Sequence, residues 1–145
     1  MRYLTTTKNL FDISKVTETN ELKVIGNSIY SYKYPAVTEE ASTLSIFKSL
    51  KLNTNYTISA VCPNYLGDGA NEIALGFNNG TFTVFRNYKT GFNQNTFSLT
   101  QEQINNITRI YFYGKPKSNG GPTIWNNIQI EEGDTATDYV PYGQL

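Results

Sequence analysis

Residues 123–143 read TIWNNIQIEEGDTATDYVPYG, and this stretch decides the fold class. Ile124, Ile128 and Ile130 are apolar at even spacing with polar residues between most of them, the two-residue period of a half-buried strand. The strand breaks at Glu131-Glu132-Gly133-Asp134, and the chain leaves through Thr135-Ala136-Thr137 into an aromatic and proline tail. Two registers are open inside it. A regular strand puts Trp125, Asn127 and Gln129 together opposite the isoleucines, but drops the Asn126 amide among them, where it needs partners. A bulge at Asn126-Asn127 relieves that conflict and turns Trp125 into the core.

Outward from this strand, the chain continues the same pattern. Residues 22–26 and 28–34 form two short strands about Gly26-Asn27, the second placing Tyr30, Tyr32 and Tyr34 on one face. Residues 35–42 read as a loop and 43–47 as a short strand carrying Leu44. In 56–62, Tyr56, Ile58, Ala60 and Cys62 alternate with Thr57, Ser59 and Val61, which makes Cys62 a small core residue. Residues 63–71, with Gly67-Asp68-Gly69, form a loop. Asn79-Gly80 between two alternating runs predicts a two-residue hairpin over 73–86. That register pairs Phe77 with Phe82, Leu75 with Val84 and Ile73 with Arg86, burying Ile73, Leu75, Phe77, Phe82 and Val84. Ala74, Gly76, Thr83 and Phe85 then line the other face, where small residues beside one aromatic leave a shallow recess. Either a neighbouring chain approaches over Gly76, or a ligand does.

Residues 87–95 read as a loop and 96–99 as a short strand. Thr100-Gln101-Glu102-Gln103 has capping-box spacing and predicts one short helix to about Asn106. Residues 108–114 alternate again, with Ile110 and Phe112 facing one way and Arg109, Tyr111 and Tyr113 the other. A Gly/Pro/Asn loop at 115–122 leads to the closing strand. About eight to ten short strands with one minor helix argue for an all-β, antiparallel two-sheet β-sandwich.

Composition narrows the chemistry. The 145 residues fit one domain large enough to bury a core without a staple. Twelve basic and twelve acidic residues cancel, so nothing points to nucleic acid or an anionic membrane. Cys62 is the sole cysteine and histidine is absent, which removes internal disulfides, cysteine-based zinc sites and the usual general base. No apolar run approaches a membrane span, and no secretory segment follows Met1-Arg2. Aromatic residues at 14% support a β-rich chain. Asp68 and Asp134 invite a calcium reading, but the spaced oxygens of a calcium loop are missing, and such aspartates also serve turns. No cofactor is expected and calcium is left open.

Asn9-Leu10-Phe11-Asp12 near the start, together with Asn127 to Tyr139 in the form NIQIEEGDTATDY, resembles the jelly-roll carbohydrate-binding-type domains of phage tail, baseplate and receptor-binding proteins. Ile130 stands where that family usually has Leu, and Asp134 where Ser is common. The resemblance implies jelly-roll topology for residues 9–145, with 1–8 as an arm or linker, and brings 9–13 beside 129–139. It also implies a virion setting, in a tail or baseplate assembled in the bacterial cytoplasm. Expected partners are host cell-wall or surface saccharide, other tail proteins and further copies of the chain in a trimer or higher assembly.

Catalysis has little to stand on. Glycoside hydrolysis needs two carboxylates, but Glu39-Glu40 and Glu131-Glu132 are adjacent on extended chain and point apart. Sugar binding suits the composition better. Saccharide C–H faces stack on aromatic rings, and hydroxyls pair with Asn, Gln, Arg and carboxylates. A face bearing Phe85, Arg109, Tyr111, Tyr113, Trp125, Asn127 and Gln129 is the candidate saccharide platform. The competing expectation is a structural module that docks other tail parts without binding sugar.

Overall fold

The computed structural model describes residues 8–33, 36–39, 41–66, 72–86, 89–115, 118 and 120–143. The expected arm lies outside them apart from Lys8, as do Tyr34 and Asp68. Two antiparallel sheets face each other. One has five strands in the order β1 (Leu22–Ile25), β2 (Ser28–Ser31), β9 (Thr123–Glu132), β4 (Tyr56–Cys62) and β7 (Gly91–Phe97). The other has four, in the order β3 (Ala36–Glu39), β8 (Ile107–Tyr113), β5 (Glu72–Phe77) and β6 (Phe82–Arg86). Pairing follows one rule: β2 with β9, β3 with β8, β4 with β7, and β5 with β6. The chain therefore runs as one long double-stranded ribbon rolled into a barrel-like sandwich, which is jelly-roll topology. The outer edge of β1 is closed locally, because Glu18 accepts from the Val24 N–H at 2.7 Å and Thr19 from the Leu22 N–H at 3.1 Å.

Four local expectations are corrected. Residues 43–47 are helical, inside α1 (Ala41–Lys48), because Leu44 and Phe47 are buried at helical spacing. Among the described residues the fold thus has two short α-helices, α1 and α2 (Gln101–Asn106), besides a 3-10 turn at Ile13–Lys15, and α2 carries the expected capping box between Thr100 and Gln103. The loop at 35–42 contains β3, and the loop at 87–95 gives way to β7 from Gly91 onward. In β7 Asn93 and Phe97 are buried while Phe92, Gln94 and Thr96 are exposed, so the alternation rides on an amide-rich sequence with little hydrophobic signal.

The 73–86 hairpin is shifted by one residue. Gly80 N–H bonds to the Phe77 carbonyl at 3.1 Å and Phe77 N–H to Thr81 at 3.0 Å, enclosing Asn78, Asn79 and Gly80. Only Gly80 takes positive φ, at 83°, so the loop has three residues with glycine in the left-handed position. β6 then presents Thr83 and Phe85 inward and Phe82 and Val84 outward, the reverse of the two-residue register. Phe85 is core, with its ring 4.9 Å from Phe97 and 6.1 Å from Phe47.

The closing strand adopts the bulged register. Asn127 has φ 56°, and Asn127 and Ile128 together oppose Ala60 between the Ser59–Gln129 and Val61–Asn126 pairs. Trp125 consequently points inward, 1% exposed, edge-on to Phe112 at 5.6 Å. Beyond the bulge, Ile128 and Ile130 join the core.

The terminal motifs lock onto each other. Leu10 N–H bonds to the Ile130 carbonyl at 2.8 Å. Asn9 donates to the carbonyls of Ile128 and Val140 at 3.2 and 3.0 Å, and accepts from Phe11 N–H and Ile130 N–H at 2.9 and 3.1 Å. After Glu132 the chain doubles back as a strap over the five-stranded sheet. Gln129 and Glu131, both buried on that outer face, hold it: Thr137 donates its hydroxyl to Glu131 at 2.6 Å, and Val140 N–H bonds to Gln129 at 3.0 Å. Gln129 also donates to Glu131 at 2.7 Å, so the buried carboxylate is well supplied with donors.

Candidate functional site

The outer face of the four-stranded sheet is built on β8. Arg109, Tyr111 and Tyr113 alternate outward while Ile110 and Phe112 are wholly buried, as the sequence predicts. In register, Tyr111 lies opposite Ala74 and Arg109 opposite Gly76, and Gly76 in turn lies opposite Phe82. The three rings make a strip: Phe82 and Tyr111 have centroids 5.9 Å apart, Tyr111 and Tyr113 6.2 Å. Phe82 is 54% exposed, unusual for a phenylalanine in a strand.

Gly76 makes room between them. A Cβ there would lie 3.1 Å from the Tyr111 ring and 3.4 Å from that of Phe82, so any side chain would push the aromatics aside. Beside it opens a recess of about 420 Å³ lined by Gly76, Asn78, Phe82, Thr108, Arg109 and Tyr111, among others. Its rim is fixed by Asn78, which bonds through N–H to the Asn106 carbonyl at 2.9 Å and through its side chain to the Asn106 amide at 3.1 Å. A bulge at Thr108 ends the regular β5–β8 pairing, and the Thr108 hydroxyl donates to the Gly76 carbonyl at 3.3 Å. Aromatic faces, a guanidinium and amides thus converge on one shallow opening.

The Tyr113 phenol is raised above its ordinary value of 10.0, first by burial and then by the charges of Glu72 and Tyr111. A raised phenol favours the protonated, folded form. The unfolded chain ionises first as pH climbs past about 10, so stability falls through that range. Tyr113→Phe should flatten the alkaline decline in a urea-midpoint series and change nothing below about pH 9. An unchanged alkaline limb would refute the assignment.

The seven sequence-predicted platform residues do not share a face. Arg109, Tyr111 and Tyr113 come together. Phe85 and Trp125 are core because of the shifted hairpin and the bulge, and Gln129 is buried under the strap. Asn127 lies on the opposite sheet, in a different cleft. Sequence reasoning missed Phe82 and Asn78. The signal was available, since Asn-Asn-Gly also fits a three-residue loop with glycine last.

Glu131 and Glu132 both line a separate cleft of about 450 Å³ with Lys8 and Lys51. Glu132 pairs with Lys51 at 3.5 Å, whereas both Glu131 oxygens accept from the strap or from Gln129. Among the described residues no group of three or more acidic or cysteine side chains is placed to hold a metal ion, and no helix is long and apolar enough to cross a membrane. No protein-family model matches the chain, and no curated protein sequence is significantly similar to it.

Proposed function

We propose that this chain is a non-catalytic carbohydrate-binding-type module of a phage or phage-tail-like adsorption apparatus, recognising host cell-surface saccharide on the outer face of its four-stranded sheet. The observation that carries the reading is the Phe82–Tyr111 pair flanking Gly76, with Arg109 and Asn78 at the same opening. The rings offer stacking surface for the apolar face of a pyranose, and the guanidinium and amide offer donors to its hydroxyls. The terminal motifs that resemble phage tail domains supply the setting, and they act here as a clasp remote in role from the recess.

A shallow face stacking one or two sugars buries roughly 200 Å² of apolar surface, worth about 5 kcal/mol before association costs. Affinity per copy is then on the order of millimolar to high micromolar. Several copies on one particle raise avidity by about 10²–10⁴ without new contacts. In a glycan array followed by calorimetry on purified host cell wall, Tyr111→Ala and Phe82→Ala should each weaken binding by about tenfold or more. Phe82→Ala should leave thermal stability nearly unchanged, since the ring is already half in water. Normal binding by both variants would remove the site from this face. Absence of any saccharide binding, with a stable complex to another tail protein, would favour the competing reading as a structural docking module.

A further inference from the structure

The strap that closes the fold also builds a second cleft, on the outer face of the five-stranded sheet. We propose that this cleft is a second saccharide site, selective for neutral sugars, formed by Phe92 and Tyr139 over a floor of Ser59 and Val61, with Asn127 and Asp138 as its hydroxyl-binding groups. Its volume is about 380 Å³, at the lower end of the range of small-molecule sites.

Each wall has a structural cause. Val61 and Phe92 are directly paired across β4 and β7, and both face outward with Ser59. Phe92 is 47% exposed, an aromatic surface left open beside the cleft. Asn127 is brought to this face by the bulge and its left-handed backbone, and its N–H is held by the Asn27 carbonyl at 3.0 Å. Tyr139 and Asp138 belong to the strap, which is pinned through Thr137 to Glu131 and through Val140 to Gln129. Sequence distance hides the site, because its residues come from β4, β7, β9 and the strap.

The chemistry selects the ligand. Among the described residues, Asp138 is the only charged side chain lining the cleft. A carboxylate accepts from two adjacent hydroxyls at once but repels an acidic sugar, whereas the amide of Asn127 both donates and accepts. Burial raises the Tyr139 phenol above its ordinary value of 10.0, so it stays neutral and serves as donor and acceptor. Lys8 donates to the backbone carbonyl of Asp138, not to its carboxylate, and lines a different cleft. The two sites lie on outer faces of opposite sheets, so one copy can engage two separate glycan strands.

The test uses the full chain carrying Phe82→Ala and Tyr111→Ala, so that remaining binding cannot arise at the first recess. Amide NMR titration with a panel of neutral hexose and N-acetylhexosamine tetrasaccharides, of gluco, galacto and manno configuration, should move Ser59, Val61, Asn127 and Asp138 in a saturable way. Matched uronic-acid oligosaccharides should not. Adding Asp138→Asn or Phe92→Ala should weaken that binding at least about tenfold. The strap uses only the backbone carbonyl of Asp138, so Asp138→Asn leaves the clasp in place. The proposal falls if no neutral member of the panel moves those amides, or if binding survives both substitutions. If the unaltered chain still binds saccharide at Tyr111 while the double variant binds none, this cleft fails and the first site stands.

Discussion

Replacing Trp125 with alanine is expected to destabilise the protein by about 3–5 kcal/mol, the cost of deleting a buried aromatic and leaving a cavity. The ring is 1% exposed, packs edge-on against Phe112 and sits where the two sheets meet. Chemical denaturation monitored by far-UV circular dichroism measures the loss, and a change below about 1 kcal/mol would contradict the bulged register. Trp125→Phe keeps much of the packing and should cost less. At temperatures where the alanine variant remains folded, saccharide binding at Tyr111 should persist, since Trp125 touches neither outer face. A loss of binding without a loss of stability would reverse that conclusion and return Trp125 to the surface.

The second large effect belongs to Asn9. Asn9→Ala removes a side chain that is 1% exposed and satisfies two carbonyls and two N–H groups linking the start of the chain to β9 and the strap. Three of these four contacts are buried, and each partner left unsatisfied costs about 1–3 kcal/mol, so a loss of at least about 3 kcal/mol is expected. That corresponds to a fall in Tm of about 6–12 °C for a chain of this size. Asn9→Asp keeps the acceptor but sets a buried carboxylate oxygen against the Ile128 and Val140 carbonyls, and at neutral pH should destabilise at least as much as alanine. A Tm within about 1 °C of the unaltered protein for Asn9→Ala would show that the clasp adds nothing to stability. Because the clasp also seats Tyr139 and Asp138, Asn9→Ala should weaken the second cleft more than the first recess.

These two residues show what kind of information each level holds. Trp125 was undecided in the sequence because a period of two cannot report an inserted residue. The conflict at Asn126 was visible, but only pairing with β4 resolves it, since the bulge exists as two residues against one on a partner strand. Phe85 and Phe82 exchanged roles for a related reason. Asn79-Gly80 is compatible with a two- or a three-residue loop, and one residue of register inverts every side chain in β6.

The sequence by itself determined the all-β class, the bounds of β4 and nearly those of β8, the capped helix α2, and the outward set Arg109, Tyr111 and Tyr113. Those features depend on local alternation and capping chemistry, which neighbouring residues encode. The juxtaposition of residues 9–13 with 129–139 came from the family resemblance alone, and the Asn9 hydrogen bonds to Ile128, Ile130 and Val140 hold those segments together. Tertiary structure alone decided α1, where Leu44 and Phe47 needed a core to choose helix over strand. It likewise decided β7, whose amide-rich strand is held by pairing with β4 through its whole length. The faces were decided there too, because a sandwich has two outer surfaces and strand alternation cannot say which sheet a strand joins. Arg109 and Asn127 therefore look alike in sequence yet lie on opposite sides of the molecule, and only strand order separates them.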